Sequence, residues 1–266
     1  MYNFVLSSTP DADVYSDSFS VYHMSTGAVL ATSESPITAL CGTSKNFIFG
    51  TQSKQLVRNG VPEPIFKQLA VFNLTPELPF CLRNGDIVLN QNIIYNRSVS
   101  VTACNGTSFG DRDGIVFTLE NGKITHFRNH ENAVISLQKD VVITTRSVFL
   151  GAKKVFSAAR IDGGLAFNGK IYVLVGEKIV IFKEEIEIEI DFPCLPRISK
   201  SVPQLQIKSF QGEVLVFSND GIVYGLDGQE RMKLAGKECT AEQAKAAWVV
   251  TELYANELGV YDEGEI

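Results

Sequence analysis

The side chains best suited to chemistry in this sequence are two pairs of closely spaced acids and three histidines. The acid pairs are Asp11 with Asp13 and Asp111 with Asp113, and carboxylate oxygens are ligands that calcium prefers. Neither pair continues into the loop with a terminal Glu that an EF-hand requires. Asp and Gly also favour tight turns. We therefore interpret both pairs as turn residues.

The histidines, His23, His126 and His130, are too few and too scattered for a multi-histidine metal site. The phosphate-binding loop, the glycine-rich dinucleotide motif and the nucleophile elbow of hydrolases are all absent from the sequence. We expect a protein that is not an enzyme and that needs no cofactor and no metal.

Composition limits the function further. The net charge of −6 argues against a primary role in binding nucleic acid, which depends on clustered Lys and Arg. Five widely spaced cysteines indicate reduced thiols in an intracellular protein, cytoplasmic or nuclear. The sequence shows neither a secretory signal nor an apolar run long enough to cross a bilayer, so membrane insertion is not expected.

One unit recurs along the chain: a short apolar strand, a turn rich in Gly, Asn, Asp or Lys, and a second short strand. This pattern predicts a β-hairpin. The clearest copies are residues 18–31, 113–127 and 220–234, and the last two begin with Asp-Gly-Ile-Val followed by an aromatic residue. Weaker copies begin near Gln55, Asn92, Ser147, Lys178 and Glu257.

Another pair of strands precedes most hairpins, so each complete unit is a sheet of four short strands. Such a sheet cannot bury both of its faces alone, and stacking several sheets around an axis solves this problem. We predict an all-β fold in which residues 1–266 form one closed β-propeller. About eight hairpin matches and a unit of roughly 40 residues favour seven blades, with six or eight as alternatives. The spacing from Ile94 to Val116 is too short for a full blade, so one match there is spurious or that blade is trimmed.

One stretch near the C-terminus competes with the all-β interpretation. Residues 240–243 have the form of a helix capping box, and strong helix formers follow as far as Ala247. We predict a short helical insertion there, followed by a strand from Trp248 onward. Residues 4–7 are expected to complete the last blade together with residues 248–251 and 258–261, which would close the ring.

The most distinctive surface feature is an acidic strand at residues 184–191. Alternation with a period of two places Ile186, Ile188 and Ile190 on one face and Glu185, Glu187 and Glu189 on the other. One interpretation is an outer strand whose charges prevent pairing with another edge. The other is a docking edge for a basic segment of a partner, aided by electrostatic attraction.

The repeat resembles the WD-repeat family over nearly the whole chain. Residues 127–137 look like the family's Gly-His signature, with Asn129 in the place of Gly and His130 in the place of His. Tyr22-His23 and Tyr261-Asp262 stand where the family has its Trp-Asp pair. The resemblance implies that the signature His and Asp help to hold each blade together. No unit shows the complete signature, so packing must replace those hydrogen bonds.

The resemblance also implies which loops bind. In WD-repeat proteins the loops between the second and third strands, and those that enter each blade, line one rim and often bind peptides. Carried over by position, these loops contribute Lys54, Arg112, His130, Arg146 and Lys178. Arg and Lys there would accept an acidic peptide or a phosphate. The alternative is that these are ordinary solvated turn residues.

We predict a non-enzymatic interaction scaffold, a WD-repeat-like subunit of an intracellular multiprotein complex whose partners are other protein subunits. One alternative is a propeller associated with RNA or the ribosome, which would need a basic face. Another is a propeller enzyme or cofactor binder, because residues 221–228 also look like blades of quinoprotein dehydrogenases.

Overall fold

Strands are the only regular secondary structure in the part of the chain that this computed structural model describes. That part comprises residues 4–53, 55–62, 71–73, 80–82, 86–89, 92–96, 99, 101–120, 123–182, 186–195 and 204–236. Its strands form seven four-stranded antiparallel sheets, which we number 1 to 7 in chain order. Within each sheet, every strand pairs with the strand that follows it in sequence.

Sheets 1 to 3 consist of β1 (Val5–Leu6), β2 (Val14–Ser16), β3 (Ser20–His23) and β4 (Val29–Thr32); β5 (Ile37–Thr43), β6 (Asn46–Thr51), β7 (Leu56–Arg58) and β8 (Val61–Pro62); and β9 (Val71–Asn73), β10 (Phe80–Leu82), β11 (Asp86–Leu89) and β12 (Asn92–Asn96). Sheets 4 and 5 consist of β13 (Val101–Asn105), β14 (Ser108–Asp111), β15 (Ile115–Glu120) and β16 (Lys123–Asn129); and β17 (Val134–Gln138), β18 (Val141–Thr144), β19 (Ser147–Leu150) and β20 (Lys153–Ser157). Sheets 6 and 7 consist of β21 (Gly163–Phe167), β22 (Lys170–Val175), β23 (Lys178–Phe182) and β24 (Ile186–Asp191); and β25 (Leu205–Phe210), β26 (Glu213–Ser218), β27 (Ile222–Gly225) and β28 (Glu230–Lys233).

The second strands β6, β18, β22 and β26 are apolar on both faces, and this explains how their sheets associate. Alternate side chains of a strand point to opposite faces. In β22, Ile171 and Val173 pack in a cluster with sheet 5, whereas Tyr172 and Leu174 pack in a cluster with sheet 7. A run of consecutive apolar residues is therefore required wherever a strand is covered on both sides.

Seven apolar clusters join the sheets into a ring. Six of them lie between consecutive sheets, from sheets 1 and 2 to sheets 6 and 7. The seventh joins sheet 7 to sheet 1. It contains Phe4, which precedes β1, and Tyr15 of β2, together with Leu215 and Phe217 of sheet 7. First strands of successive sheets contact one another, so they line the inside of the ring. This arrangement is a closed β-propeller.

The strongest hairpin predictions correspond to the third and fourth strands of sheets 1, 4 and 7. The weak copy near Asn92 was misplaced, because Asn92 begins the fourth strand β12 and its hairpin starts with β11 at Asp86. All seven sheets fit between Val5 and Lys233, so the unit is shorter than the roughly 40 residues assumed. The copy near Glu257 lies outside the described residues.

The predicted way of closing the ring was wrong in one respect. Val5 pairs with Ser16 and Leu6 with Tyr15, so the N-terminal strand is the first strand of its own sheet. Its expected partners, residues 248–251 and 258–261, lie outside the described residues, as does the predicted helical insertion at residues 240–247. In the part of the chain that is described, no helix is long and apolar enough to cross a membrane.

Sheets 7 and 1 are joined by polar contacts as well as by their apolar cluster, and we call this set the closing joint. Nζ of Lys208 donates to the carbonyl oxygens of Ser7 at 2.7 Å and Thr9 at 2.8 Å. Nε2 of Gln206 donates to the carbonyl oxygen of Phe4 at 3.0 Å. The hydroxyl of Tyr15 donates to the carbonyl oxygen of Ala235 at 2.8 Å. The backbone carbonyls of one sheet are thus satisfied by the other.

Lys208 is the charged side chain of the closing joint, and only 6% of its surface is exposed. Burial lowers the pKa of Lys208 to about 8, and the nearby Asp11 and Asp13 only partly oppose the shift. An unfolded chain binds this proton up to about pH 10.4. Between these two pH values the unfolded state therefore holds more protons than the folded state, and stability rises with pH.

We predict that Lys208→Met removes this pH dependence. Relative to the variant, the wild-type free energy of unfolding should rise by on the order of 3 kcal/mol between pH 8 and pH 10.5. Urea denaturation at half-unit pH steps measures the difference. Burial raises the pKa of Tyr15, and of Tyr22 to about 12, so both proteins lose stability above pH 10, and the comparison cancels this effect.

The matched control is Lys233→Met, which removes an exposed lysine from the outer strand β28 of the same sheet. It should follow the wild-type pH profile. A Lys208→Met profile that also runs parallel to the wild type would show that Lys208 is not held in a costly environment.

Candidate interaction surfaces

One face of the ring carries the loops between second and third strands and the connections that lead to the next sheet; we call it the rim. The two kinds of loop are hydrogen-bonded together. The amide of Ala158 donates to the carbonyl of Arg146 at 3.1 Å, and the amide of Phe192 donates to the carbonyl of Glu177 at 3.0 Å. The backbone of each of these loops is therefore fixed by the connection that leaves the same sheet.

The structure brings three of the five predicted rim residues to this face as exposed side chains. Arg112 lies between β14 and β15, Arg146 lies between β18 and β19, and Lys178 begins β23. These positions belong to the successive sheets 4, 5 and 6. Lys54 lies outside the described residues, and His130 is buried.

Carboxylates accompany the cations of the rim. Nε of Arg112 lies 3.7 Å from Oδ1 of Asp113. Nζ of Lys178 lies 3.6 Å from Oε2 of Glu189 and 3.9 Å from Oδ1 of Asp191. Exposed pairs of this kind contribute little stability, but they reduce the positive charge available to an acidic peptide or a phosphate.

A stronger ion pair on the rim was missed in the sequence. Nε of Arg160 donates to Oδ1 of Asp162 at 2.6 Å, and the Asp162 side chain is almost fully buried. Oδ2 of Asp162 also accepts the amide of Gly176 at 3.1 Å, which fixes the connection from sheet 5 to sheet 6. No local pattern marks this pair, because Gly176 lies in a different loop from the two side chains.

The prediction that His130 contributes an exposed contact was wrong. Only 6% of its surface is exposed, and its ring lies 4.4 Å from the ring of Phe149, between sheets 4 and 5. Its Nε2 atom is buried and makes no hydrogen bond. Burial, and secondarily the positive charge of Arg128, hold the pKa of His130 below its usual value. The imidazole therefore acts as a packing element.

The paired acids occupy turns, as expected. Asp111 is fully buried, and its Oδ1 accepts the amides of Asp113 at 3.0 Å and Ile115 at 2.8 Å. Asp13 accepts the amide of Ser44 at 2.7 Å and its hydroxyl at 2.6 Å. Hydrogen bonds from Ser44 hold the pKa of Asp13 below its usual value, although burial alone would raise it. Among the described residues, no group of three or more His, Cys, Asp or Glu side chains is placed to hold a metal.

Tyr22, in the family's Trp place, also serves a turn. Its hydroxyl donates to Oδ2 of Asp17 at 2.8 Å, while Oδ1 of Asp17 accepts the amides of Phe19 and Ser20. Asp17 is 4% exposed. In sheets 1 and 4, a buried carboxylate at the end of the second strand thus fixes the turn that follows it.

The acidic strand is the outer strand of sheet 6. β24 pairs with β23 and with no other described strand, so it presents one unpaired edge. The Glu189 and Asp191 side chains are 51% and 79% exposed. Glu187 lies within β24, where its backbone alone is described, and Glu185 lies outside the described residues.

The isoleucines of this strand are not equally buried. Ile190 packs against the cluster between sheets 6 and 7, but Ile188, which lies on the same face, is 49% exposed. Alternation is thus retained, while burial is lost towards the middle of the strand.

Comparisons with known proteins identify the fold. No family model matches the sequence, and no curated protein matches it. Among solved structures, the WD40 propeller domain of Doa1 is similar, with a TM-score of 0.55 and 13% identity, over 84% of this chain and 96% of that one. Sqt1 of Saccharomyces cerevisiae has a TM-score of 0.59 and 10% identity, over 88% and 85% of the two chains.

A chain of the mitotic checkpoint complex is also similar, with a TM-score of 0.58 and 11% identity, over 85% of this chain and 86% of that one. At such identities the likeness shows the fold alone. The β-propeller fold implied by the WD-repeat resemblance is confirmed, and a WD40 propeller domain is among the solved structures of similar fold.

The buried His130 generates a prediction about acid stability. Because the unfolded chain binds a proton on this histidine near its usual pKa while the folded chain resists it, stability is lost as pH falls through about 6.5. We expect the wild-type free energy of unfolding to fall between pH 7 and pH 5 more steeply than that of His130→Phe, which keeps a ring against Phe149. Urea denaturation at each pH measures both slopes, and near-UV circular dichroism verifies the native packing of the variant. Identical slopes would contradict the assignment of His130 as a buried neutral imidazole.

Proposed function

We propose that this chain is a non-enzymatic protein-interaction platform, an intracellular subunit of a multiprotein assembly, and that it docks a basic, extended partner segment along the outer edge of sheet 6. The outer edge of β24 is the observation that carries the proposal, because it pairs with no other strand in the described part of the chain and carries exposed acids. A chain of similar fold was solved within the mitotic checkpoint complex, which supports a role of this general kind.

An unpaired edge binds an extended segment through its main chain. The outward N–H and C=O groups of β24 match those of another strand, as in recognition by strand addition. Side chains then select the partner. A strand with alternating residues would place its apolar side chains beside Ile188 and its basic ones beside Glu189 and Asp191. This specificity is what separates docking from general edge pairing.

Charge favours a basic partner on this edge over an acidic partner on the rim. Among the described residues, the two acids Glu189 and Asp191 of β24 share a single cation, Lys178. The edge therefore keeps an excess of negative charge. On the rim, by contrast, Arg112 and Arg160 already face Asp113 and Asp162. The same pairing weakens the alternative of an RNA-associated propeller, which requires a face of uncompensated positive charge.

The intracellular assignment rests on the cysteines. Cys41 is fully buried among apolar residues of sheets 2 and 3, and burial raises the pKa of its thiol. A protonated, inaccessible thiol is inert and acts as a small apolar side chain. This environment suits a compartment in which thiols stay reduced.

A charge-reversal experiment tests the docking edge. The probe is a fluorescent ten-residue peptide of alternating Lys and Val, titrated against the full chain and followed by anisotropy. We expect Glu187→Lys/Glu189→Lys to weaken binding about tenfold. Raising salt from 50 to 200 mM should also weaken wild-type binding, because exposed charges are screened.

The control is Glu230→Lys, which makes one Glu→Lys change on the outer strand β28 of sheet 7, half the charge change of the double variant. It should bind the probe like the wild type. Equal binding by the β24 double variant, or tighter binding of a Glu-Val peptide than of the Lys-Val peptide, would overturn the docking edge. Catalytic turnover of a small substrate by the isolated monomer would contradict the proposal that the chain is a non-enzymatic platform.

A further inference from the structure

The face opposite the rim contains a cavity of about 600 Å³, which we call the central cavity. One wall is the loop of residues 7–13, which joins β1 to β2; we call it the sheet 1 loop. The other walls are the corresponding ends of sheets 4, 5 and 6. Because these sheets lie across the ring from sheet 1, the cavity opens on the ring axis.

Loop lengths explain why a cavity forms here. In sheets 4, 5 and 6 only two residues join the first strand to the second. Lys139 and Asn168 take positive φ values of 45° and 49° in these turns, as tight hairpins require. Because these turns are short, sheets 4, 5 and 6 project little on this face of the ring. The longer sheet 1 loop lies opposite them.

The sheet 1 loop is held rigidly from both sides. On sheet 2, the hydroxyl of Ser7 donates to the carbonyl of Gly42 at 2.9 Å, and the amide of Gly42 donates to Oγ1 of Thr9 at 2.8 Å. On sheet 7, Lys208 binds the carbonyls of Ser7 and Thr9. Gly42 has a φ of 99°, and a Cβ there would lie 2.1 Å from the carbonyl oxygen of Asn46, so only glycine allows this contact. The wall of the cavity is therefore preorganised.

The lining of the cavity defines what it can bind. Leu137, Ala166 and Phe167 supply apolar surface. Around them are the amide side chains of Asn105 and Asn168, each of which both donates and accepts hydrogen bonds. The charged lining residues, Lys139 and Asp140, are neighbours of opposite sign, so neither an anion nor a cation is favoured.

We propose that the central cavity binds a short neutral peptide segment of a partner protein, which inserts one apolar side chain. A peptide main chain carries paired donors and acceptors that match the two asparagine amides, and the cavity lies within the size range of ligand pockets, roughly 300–1,000 Å³. The proposal shares with the proposed function only the premise of a protein partner. It concerns the opposite face of the ring and a different partner chemistry.

The test is selection of peptides from a random twelve-residue display library on the full chain, followed by anisotropy with the enriched peptides. We expect neutral sequences with one apolar residue between polar ones. Asn105→Trp, which fills the cavity from an exposed position, should weaken their binding at least tenfold. Methyl NMR signals of Leu137 and Ala166 should shift when a peptide is added to the wild type.

The matched control is Thr107→Trp, two residues further on, because Thr107 is exposed but does not line the cavity. It should bind the peptides like the wild type, as should Glu187→Lys/Glu189→Lys, so this result stands apart from that of the docking edge. Enrichment of no neutral peptide, or equal binding by Asn105→Trp and the wild type, would overturn the proposal.

Discussion

Two-sided burial of the second strands is the constraint on which the rest of this structure depends. In β26, Val214 and Val216 pack towards sheet 6, while Leu215 and Phe217 pack towards sheet 1. A sheet of this kind exposes an apolar face unless another sheet covers each side, so a row of such sheets has no stable end. Closing the row into a ring covers every face, and among the described residues seven clusters place apolar side chains between each pair of neighbouring sheets. What remains for recognition is the loops and the outer edges.

The ring is closed by packing and by a polar joint, with no strand shared between the described parts of sheets 7 and 1. Burial of Lys208 is costly, because a desolvated ammonium loses its hydration. Its hydrogen bonds to Ser7 and Thr9 offset part of this cost and give the joint a definite geometry. Apolar contacts alone are not directional, whereas the lysine fixes where the sheet 1 loop lies.

The predictable part of the fold was encoded locally. Strand, turn and strand follow one another within about fifteen residues, so hairpins such as those beginning at residues 113 and 220 could be recognised from the sequence. The buried position of His130, the Arg160–Asp162 pair and the lysine at the closing joint could not. Lys208 contacts residues about 200 positions away in the sequence, and no periodic pattern records such a contact. Likewise, Glu189 and Lys178 were assigned to two different surfaces, yet the antiparallel pairing of β23 with β24 brings them together.

The sheet 1 loop belongs both to the closing joint and to the wall of the central cavity. Ser7 and Thr9 receive the lysine of sheet 7, while Ser8 and Thr9 line the cavity. A molecule that binds in the cavity only when this loop is in place stabilises the closed ring by its own binding free energy. Conversely, any change that loosens the closing joint lowers the fraction of molecules able to bind. Ring closure and recognition on this face are therefore thermodynamically linked through one short loop.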